Sequence, residues 1–100
     1  LDITPNKVKD LTKQLDSILN EYNKKNSTIN SSNQVTHIAI GHTVQYTSNK
    51  GINSICDGRV WRCDVGMSRA FGQRKDEPHR KPQVLEILNV DGNEIIKVLL

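Results

Sequence analysis

The sequence predicts an α/β fold in which one helix is followed by a short strand and then by two β-hairpins. Three features of its 100 residues predict this fold. Apolar side chains recur at three- and four-residue spacing near the start, an apolar run covers residues 35–40, and Asp-Gly pairs at 57–58 and 91–92 each separate two β-prone runs. One helix cannot cover both faces of the apolar strands, so we expect them to be part of a larger two-layered sheet.

Residues 1–25 are predicted to form an amphipathic helix. Thr4 can accept hydrogen bonds from the free N–H groups of the first turn, and Pro5 suits the first helical position. A polar segment at 23–26 is expected to end the helix after about five turns. Residues 26–33 then form an uncharged polar loop. The apolar stripe of the helix comprises Val8, Leu11, Leu15, Ile18, Leu19 and Tyr22.

Residues 34–71 are predicted to hold a strand and the first hairpin. The run at 35–40 lacks strict alternation, which is typical of a strand that is covered on both faces, and it ends at Gly41. The first Asp-Gly pair is the strongest short-range signal for a tight hairpin turn. Ser68 is placed to cap a helical turn at 69–71.

The rest of the chain is predicted to be a loop and a second hairpin. Residues 72–82 are charged and rich in helix and strand breakers, so we expect them to form a solvated loop that includes the basic pairs Arg74-Lys75 and Arg80-Lys81. Residues 83–100 are expected to form the C-terminal hairpin.

Composition sets bounds on the class of protein. The chain is 35% apolar, and its net charge of +3 permits a phosphate-seeking surface without requiring one. Two cysteines are too few for a secreted disulfide framework, and the hairpin register keeps Cys56 and Cys63 apart, so both are expected to be free thiols. No apolar run approaches the ~18 residues of a membrane span. We therefore expect a cytoplasmic protein, with a virion or large complex as the alternative.

The tripeptide Gly41-His42-Thr43 stands where the apolar strand ends. Ligands of α/β sheets collect outside the carboxyl ends of strands, so this is a favoured place for a functional side chain. A glycine before the histidine lets other groups approach the backbone closely. Taken alone, the tripeptide is more typical of a structural histidine than of a metal ligand.

A longer pattern around the tripeptide resembles a known family. The stretches at 38–45, 51–62, 64–68 and 83–87 resemble the end of the calcineurin-like metallophosphoesterases. The nearest branch is that of the Shewanella-like phosphoprotein phosphatases. The resemblance covers about residues 36–87, and it implies the C-terminal part of a calcineurin-like two-sheet α/β sandwich.

The resemblance implies a hydrolase with two metal ions, which are Mn, Fe or Zn in the family. His42 is then a metal ligand, as the histidine of the family's last Gly-His motif. The family's DxH, GDxxD and GNH motifs do not occur in these 100 residues. We therefore expect a C-terminal fragment that is inactive alone and needs the remainder of the domain as its partner. Val44 stands where many phosphodiesterases of the superfamily have a second histidine, which favours a monoesterase.

Four further residues are candidates for contacts around the metals or the phosphate. Asp64 either orients His42, or it caps a local turn or pairs with Arg62. Arg69 either binds phosphate through parallel N–H bonds or is solvated. Gly41 and Thr43 flank the histidine. His37 is an odd number of residues before His42, so it is expected on the other sheet face as a hydrogen-bonded structural residue.

The preferred function is therefore that of a phosphatase segment acting on phosphomonoesters, chiefly phosphorylated protein. The alternative is a noncatalytic module of the same fold that binds or scaffolds in a larger assembly or virion. Nucleic acid is an unfavoured partner because the basic loop at 72–82 has no aromatic residues between its charges. No membrane partner is expected.

Overall fold

The computed structural model describes residues 3–26, 34–72 and 78–100. These ranges contain one α-helix and two small β-sheets, which confirms the predicted α/β class. In the described ranges, no helix combines the length and the apolar character needed to cross a membrane.

The first element is α1 (Pro5–Lys25), as the sequence predicts. Thr4 is extended, and its Oγ1 accepts a hydrogen bond from the N–H of Lys7 at 3.3 Å. At the other end, the N–H of Asn26 donates to the carbonyl of Tyr22 at 3.1 Å. Both predicted helix boundaries are confirmed, because the capping residues do what their side-chain chemistry suggests.

Three short strands form the first sheet: β1 (Ile38–Ile40), β2 (Asn53–Ile55) and β3 (Val60–Arg62). Their order is β1-β3-β2, with β1 parallel and β2 antiparallel to β3. The carboxyl ends of β1 and β3 therefore lie side by side at one edge of this sheet.

The hairpin between β2 and β3 has the predicted turn. Ile55 pairs with Val60, and the N–H of Arg59 donates to the carbonyl of Cys56 at 3.1 Å. The two residues between, Asp57-Gly58, have φ values of 53° and 77°. Cys56 before them has a φ of 57°, so three consecutive residues have positive φ angles, and glycine adopts the last of these without steric cost.

The prediction of a buried strand over 35–40 is wrong in extent and in burial. Only Ile38–Ile40 pairs, and Ala39 and Ile40 are exposed. One reason is that the N–H and carbonyl of Val35 bond to the side-chain amide of Asn23, at 2.8 and 2.9 Å, which ties this backbone to the helix. The other is that β1 pairs with β3 alone and so lies at the sheet's edge.

The second sheet is the C-terminal hairpin of β4 (Val84–Val90) and β5 (Asn93–Leu99). Val90 pairs with Asn93 around Asp91-Gly92, whose φ values are 53° and 81°. The second predicted hairpin is thereby confirmed.

Few apolar side chains are buried in the described ranges. The helix contacts the turn of the first hairpin, where an ion pair joins Arg59 to Asp16. Both cysteines are free, as predicted, with Cys56 buried and Cys63 half-buried. The buried apolar residues are Leu19, Cys56, Val60 and Val65.

The prediction of a solvated loop at 72–82 is wrong for Arg80. Pro78–Arg80 forms a single 3-10 turn, and the arginine side chain is only 2% exposed. Its N–H groups donate to backbone carbonyls of an earlier loop. These hydrogen bonds replace the ones that an exposed guanidinium would make with water. Residues 73–77, with the pair Arg74-Lys75, lie outside the described residues, as do residues 27–33.

Candidate functional site at the carboxyl ends of β1 and β3

His42 is the central residue of a rare turn immediately after β1. The N–H of Thr43 donates to the carbonyl of Gly41 at 2.7 Å, and His42 between them has a φ of 67°. This is the γ-turn with a positive central φ, which is uncommon and strained for a residue with a side chain. The turn leaves the histidine exposed at the edge of the sheet.

A buried amide supports this turn from below. Gln45 is 3% exposed, its Nε2 donates to the carbonyl of Thr43 at 2.7 Å, and its Oε1 accepts from Asn53 Nδ2 at 3.0 Å. Asn53 Oδ1 accepts in turn from Arg62 Nε at 2.7 Å. The loop that presents His42 is thus bonded to β2 and β3. Sequence reasoning missed Gln45, since nothing local separates it from its polar neighbours.

Asp64 follows the end of β3, as His42 follows the end of β1. The parallel register pairs Ile40 with Arg62, the last residues of the two strands, and His42 and Asp64 each come two residues after them. The N–H of Gln45 donates to the backbone carbonyl of Asp64 at 2.9 Å, which fastens the two strand ends together.

The carboxylate of Asp64 caps a local turn, which is one of the structural roles predicted for it. Its Oδ1 accepts a hydrogen bond from the N–H of Gly66 at 2.9 Å, which caps a local turn. In the described ranges no hydrogen bond or ion pair joins Asp64 to His42. The two side chains share one edge of the sheet without touching.

The other three candidate residues differ in their exposure and in their contacts. Thr43 is exposed, and its carbonyl is engaged by the buried amide. A Cβ built on Gly41 would meet no atom within 4 Å, so the close approach expected there is not made. Arg69 is exposed, in a 3-10 turn (Arg69–Phe71) that Ser68 Oγ caps by accepting from the N–H of Ala70 at 3.1 Å. The cap predicted at Ser68 is confirmed.

Arg80 holds the segment that carries Arg69. Its Nε donates to the carbonyl of Gly66 at 2.9 Å, and its Nη2 donates to the carbonyls of Ser68 and Gly72 at 3.2 and 3.0 Å. The guanidinium lies 4.7 Å from the ring centroid of Tyr46. Nothing in the sequence distinguishes this arginine from the basic residues around it.

His37 occupies the opposite end of β1. Its Nδ1 lies 2.8 Å from Glu94 Oε1 and 2.7 Å from Thr36 Oγ1, which confirms a hydrogen-bonded histidine. It also lines a cleft of about 330 Å³ between α1 and the first hairpin, together with Arg59 and Asp16. These contacts connect the second sheet to the first and give His37 a structural task.

The described residues can supply one ligand to a metal ion. They contain no group of three or more His, Cys, Asp or Glu side chains placed to hold an ion. His42 meets the requirement for a single donor, because its imidazole is exposed beyond a strand end. Any further ligands would have to come from outside the described residues.

Comparisons of the chain with family models, with curated proteins and with solved structures gave no match. The described ranges, with one helix and two small sheets, define a mixed α/β class.

Proposed function

We propose that this chain is the C-terminal segment of a metal-dependent phosphatase, of the calcineurin-like α/β sandwich type, that hydrolyses phosphomonoesters. Phosphorylated protein is the proposed substrate class, and the remainder of the phosphoesterase domain is the proposed partner. His42 is the ligand that this segment contributes. Two metal ions of the Mn, Fe or Zn type would supply an activated water and would stabilise the charge of the phosphoryl oxygens.

The placement of His42 carries the proposal. The sequence resemblance implies a metal ligand at this position, and the residue stands at the carboxyl end of a parallel strand in an exposed, positive-φ turn. Strain of this kind persists where the surrounding contacts determine the backbone, and the amide of Gln45 supplies such contacts. A neutral imidazole binds a cation without cancelling its charge, whereas a carboxylate would cancel part of it.

Two nearby side chains are suited to assist. Asp64 places a carboxylate at the same sheet edge, where its negative charge attracts cations. Arg69 presents an exposed guanidinium on a segment that Arg80 orders. A guanidinium on an ordered segment can bind phosphate through two parallel N–H bonds with little loss of conformational freedom.

The test compares two histidine variants of the complete protein that carries this segment. His42→Ala is expected to lower metal content and to reduce turnover of an aryl phosphate and of a phosphoserine peptide by at least about 100-fold, more than is typical when a residue that orients a ligand is lost. His37→Ala is the matched control, because its imidazole pairs with Glu94 at the other end of β1. It should keep metal content and turnover while lowering stability.

Each outcome decides between functions. Full metal content and full turnover in His42→Ala would show that His42 is not a ligand. Equal losses in both variants would point to a shared effect on folding. A complete wild-type protein that binds no Mn, Fe or Zn and hydrolyses neither substrate would replace the phosphatase with the noncatalytic binding module.

A further inference from the structure

The C-terminal hairpin has an exposed apolar face that the described part of the chain leaves uncovered. Side chains alternate along a strand, so every second residue of β4 and its partner on β5 point to the same side. On one side the pair Leu85 and Val98 is half-buried, as is Ile96, whereas its partner Ile87 is 56% exposed. We call the other side the outer face, and its apolar residues, each between 38% and 58% exposed, are Val84, Leu88, Val90, Ile95 and Leu99.

The outer face also carries one pair of opposite charges. Glu86 pairs with Lys97 in the register, between the apolar pair Val84 and Leu99 and the apolar pair Leu88 and Ile95. The face is therefore ordered in four rows: apolar, charged, apolar, and a last row beside the turn in which Val90 pairs with Asn93. Its positive and negative groups lie on different strands.

A two-stranded hairpin is marginal in water without something packed on it. The exposed apolar residues of the outer face therefore call for an occupant.

We propose that the outer face binds the outer face of a second copy of this chain, around a two-fold axis parallel to the strands. Such a rotation places β4 of one copy over β5 of the other at the same level. Val84 then faces the other copy's Leu99, and Leu88 faces its Ile95. Glu86 of each copy meets Lys97 of the other.

The arrangement of charges on the outer face favours a second copy of this chain as its binding partner. A two-fold interface uses the same patch twice, so each patch must complement itself. The outer face does so, because its apolar rows coincide and its opposite charges meet in one rotation. Packed sheets place such side chains in one layer about 10 Å thick. The inference uses no feature of the His42 site, but it requires that the remainder of the proposed phosphoesterase domain leaves the outer face open.

The experiment measures the mass in solution of the complete protein that carries this segment, by sedimentation equilibrium across the micromolar range. The wild type is expected to be a dimer. Leu88→Asp puts a charge in an apolar row and is expected to weaken association at least tenfold. Asn89→Asp is the matched control, because it adds the same charge on the other face of the same strand and keeps an oxygen to accept from Gly92 N–H. It should remain dimeric.

A charge exchange tests the orientation of the two copies. Glu86→Lys and Lys97→Glu should each be monomeric, because each creates a ring of like charges. Mixing the two variants should restore a dimer, since every contact between copies then joins a lysine to a glutamate while each chain keeps its own like-charged pair. Far-UV circular dichroism monitors the fold of each variant. A monomeric wild type, dimers of both single-charge variants, or a mixture that stays monomeric would each overturn the proposal.

Discussion

Arg80→Met is expected to destabilise the fold by about 2 to 3 kcal/mol. The buried charge-assisted bond to the carbonyl of Gly66 contributes roughly 2 kcal/mol, and the part-buried bonds to Ser68 and Gly72 contribute about 0.5 kcal/mol each because water replaces them. Contact of the guanidinium with the ring of Tyr46 adds about 1 kcal/mol. The substitution also removes a charge from the protein interior, which regains roughly 1 to 2 kcal/mol of the stability lost with these contacts.

Urea unfolding followed through Trp61, the sole tryptophan, measures this loss. The midpoint should fall by roughly 1 to 2 M, at the slope typical of small proteins. Lys81→Met is the control, since this neighbouring side chain is exposed and its replacement should change stability by less than about 0.5 kcal/mol. If Arg80→Met unfolds within 0.5 kcal/mol of the wild type, on the order of an ordinary surface substitution, the guanidinium does not hold the loop.

Two further perturbations test the packing near the sheet edge. Gly66→Ala should lower the free energy of unfolding by about 2 kcal/mol or more, because φ is 65° there and the new Cβ would lie 2.6 Å from the ring of Tyr46. Gly41→Ala is the control, since its Cβ would meet nothing within 4 Å, and it should be nearly neutral in the same urea experiment. Burial raises the pKa of the Cys63 thiol above its usual 9.0, so the unfolded chain loses this proton first as pH rises, and stability should decline from about pH 9 upward. Cys63→Ala should flatten that decline in thermal unfolding measured against pH, and an unchanged slope would contradict it.

Local signals predicted the elements whose ends are set by chemistry within a few residues. Thr4 and Pro5 mark the start of α1 because a hydroxyl and a missing N–H both satisfy the first turn. The two Asp-Gly turns limit the register of both hairpins, since the four residues between β2 and β3 and the two between β4 and β5 leave few ways to pair the strands. The separation of the cysteines followed from that register.

Burial was predicted less well, because it depends on distant parts of the chain. The apolar run at 35–40 was expected to be covered, yet Asn23 captures its first residue and only three residues pair. Arg80 was expected in solvent, and three carbonyls from an earlier loop hold it inside instead. Neither partner set lies near enough in sequence to leave a local pattern.

The sequence by itself determined the helix, the two hairpins and the position of His42 directly after a strand, since each depends on neighbouring residues. Only the tertiary structure decided that β1 runs parallel to β3, which brings the strand ends that precede His42 and Asp64 side by side. It alone decided that the amide of Gln45 lies buried beneath the turn. The physical reason is that pairing between distant strands, and the satisfaction of buried polar groups, require partners whose identity the local sequence does not contain.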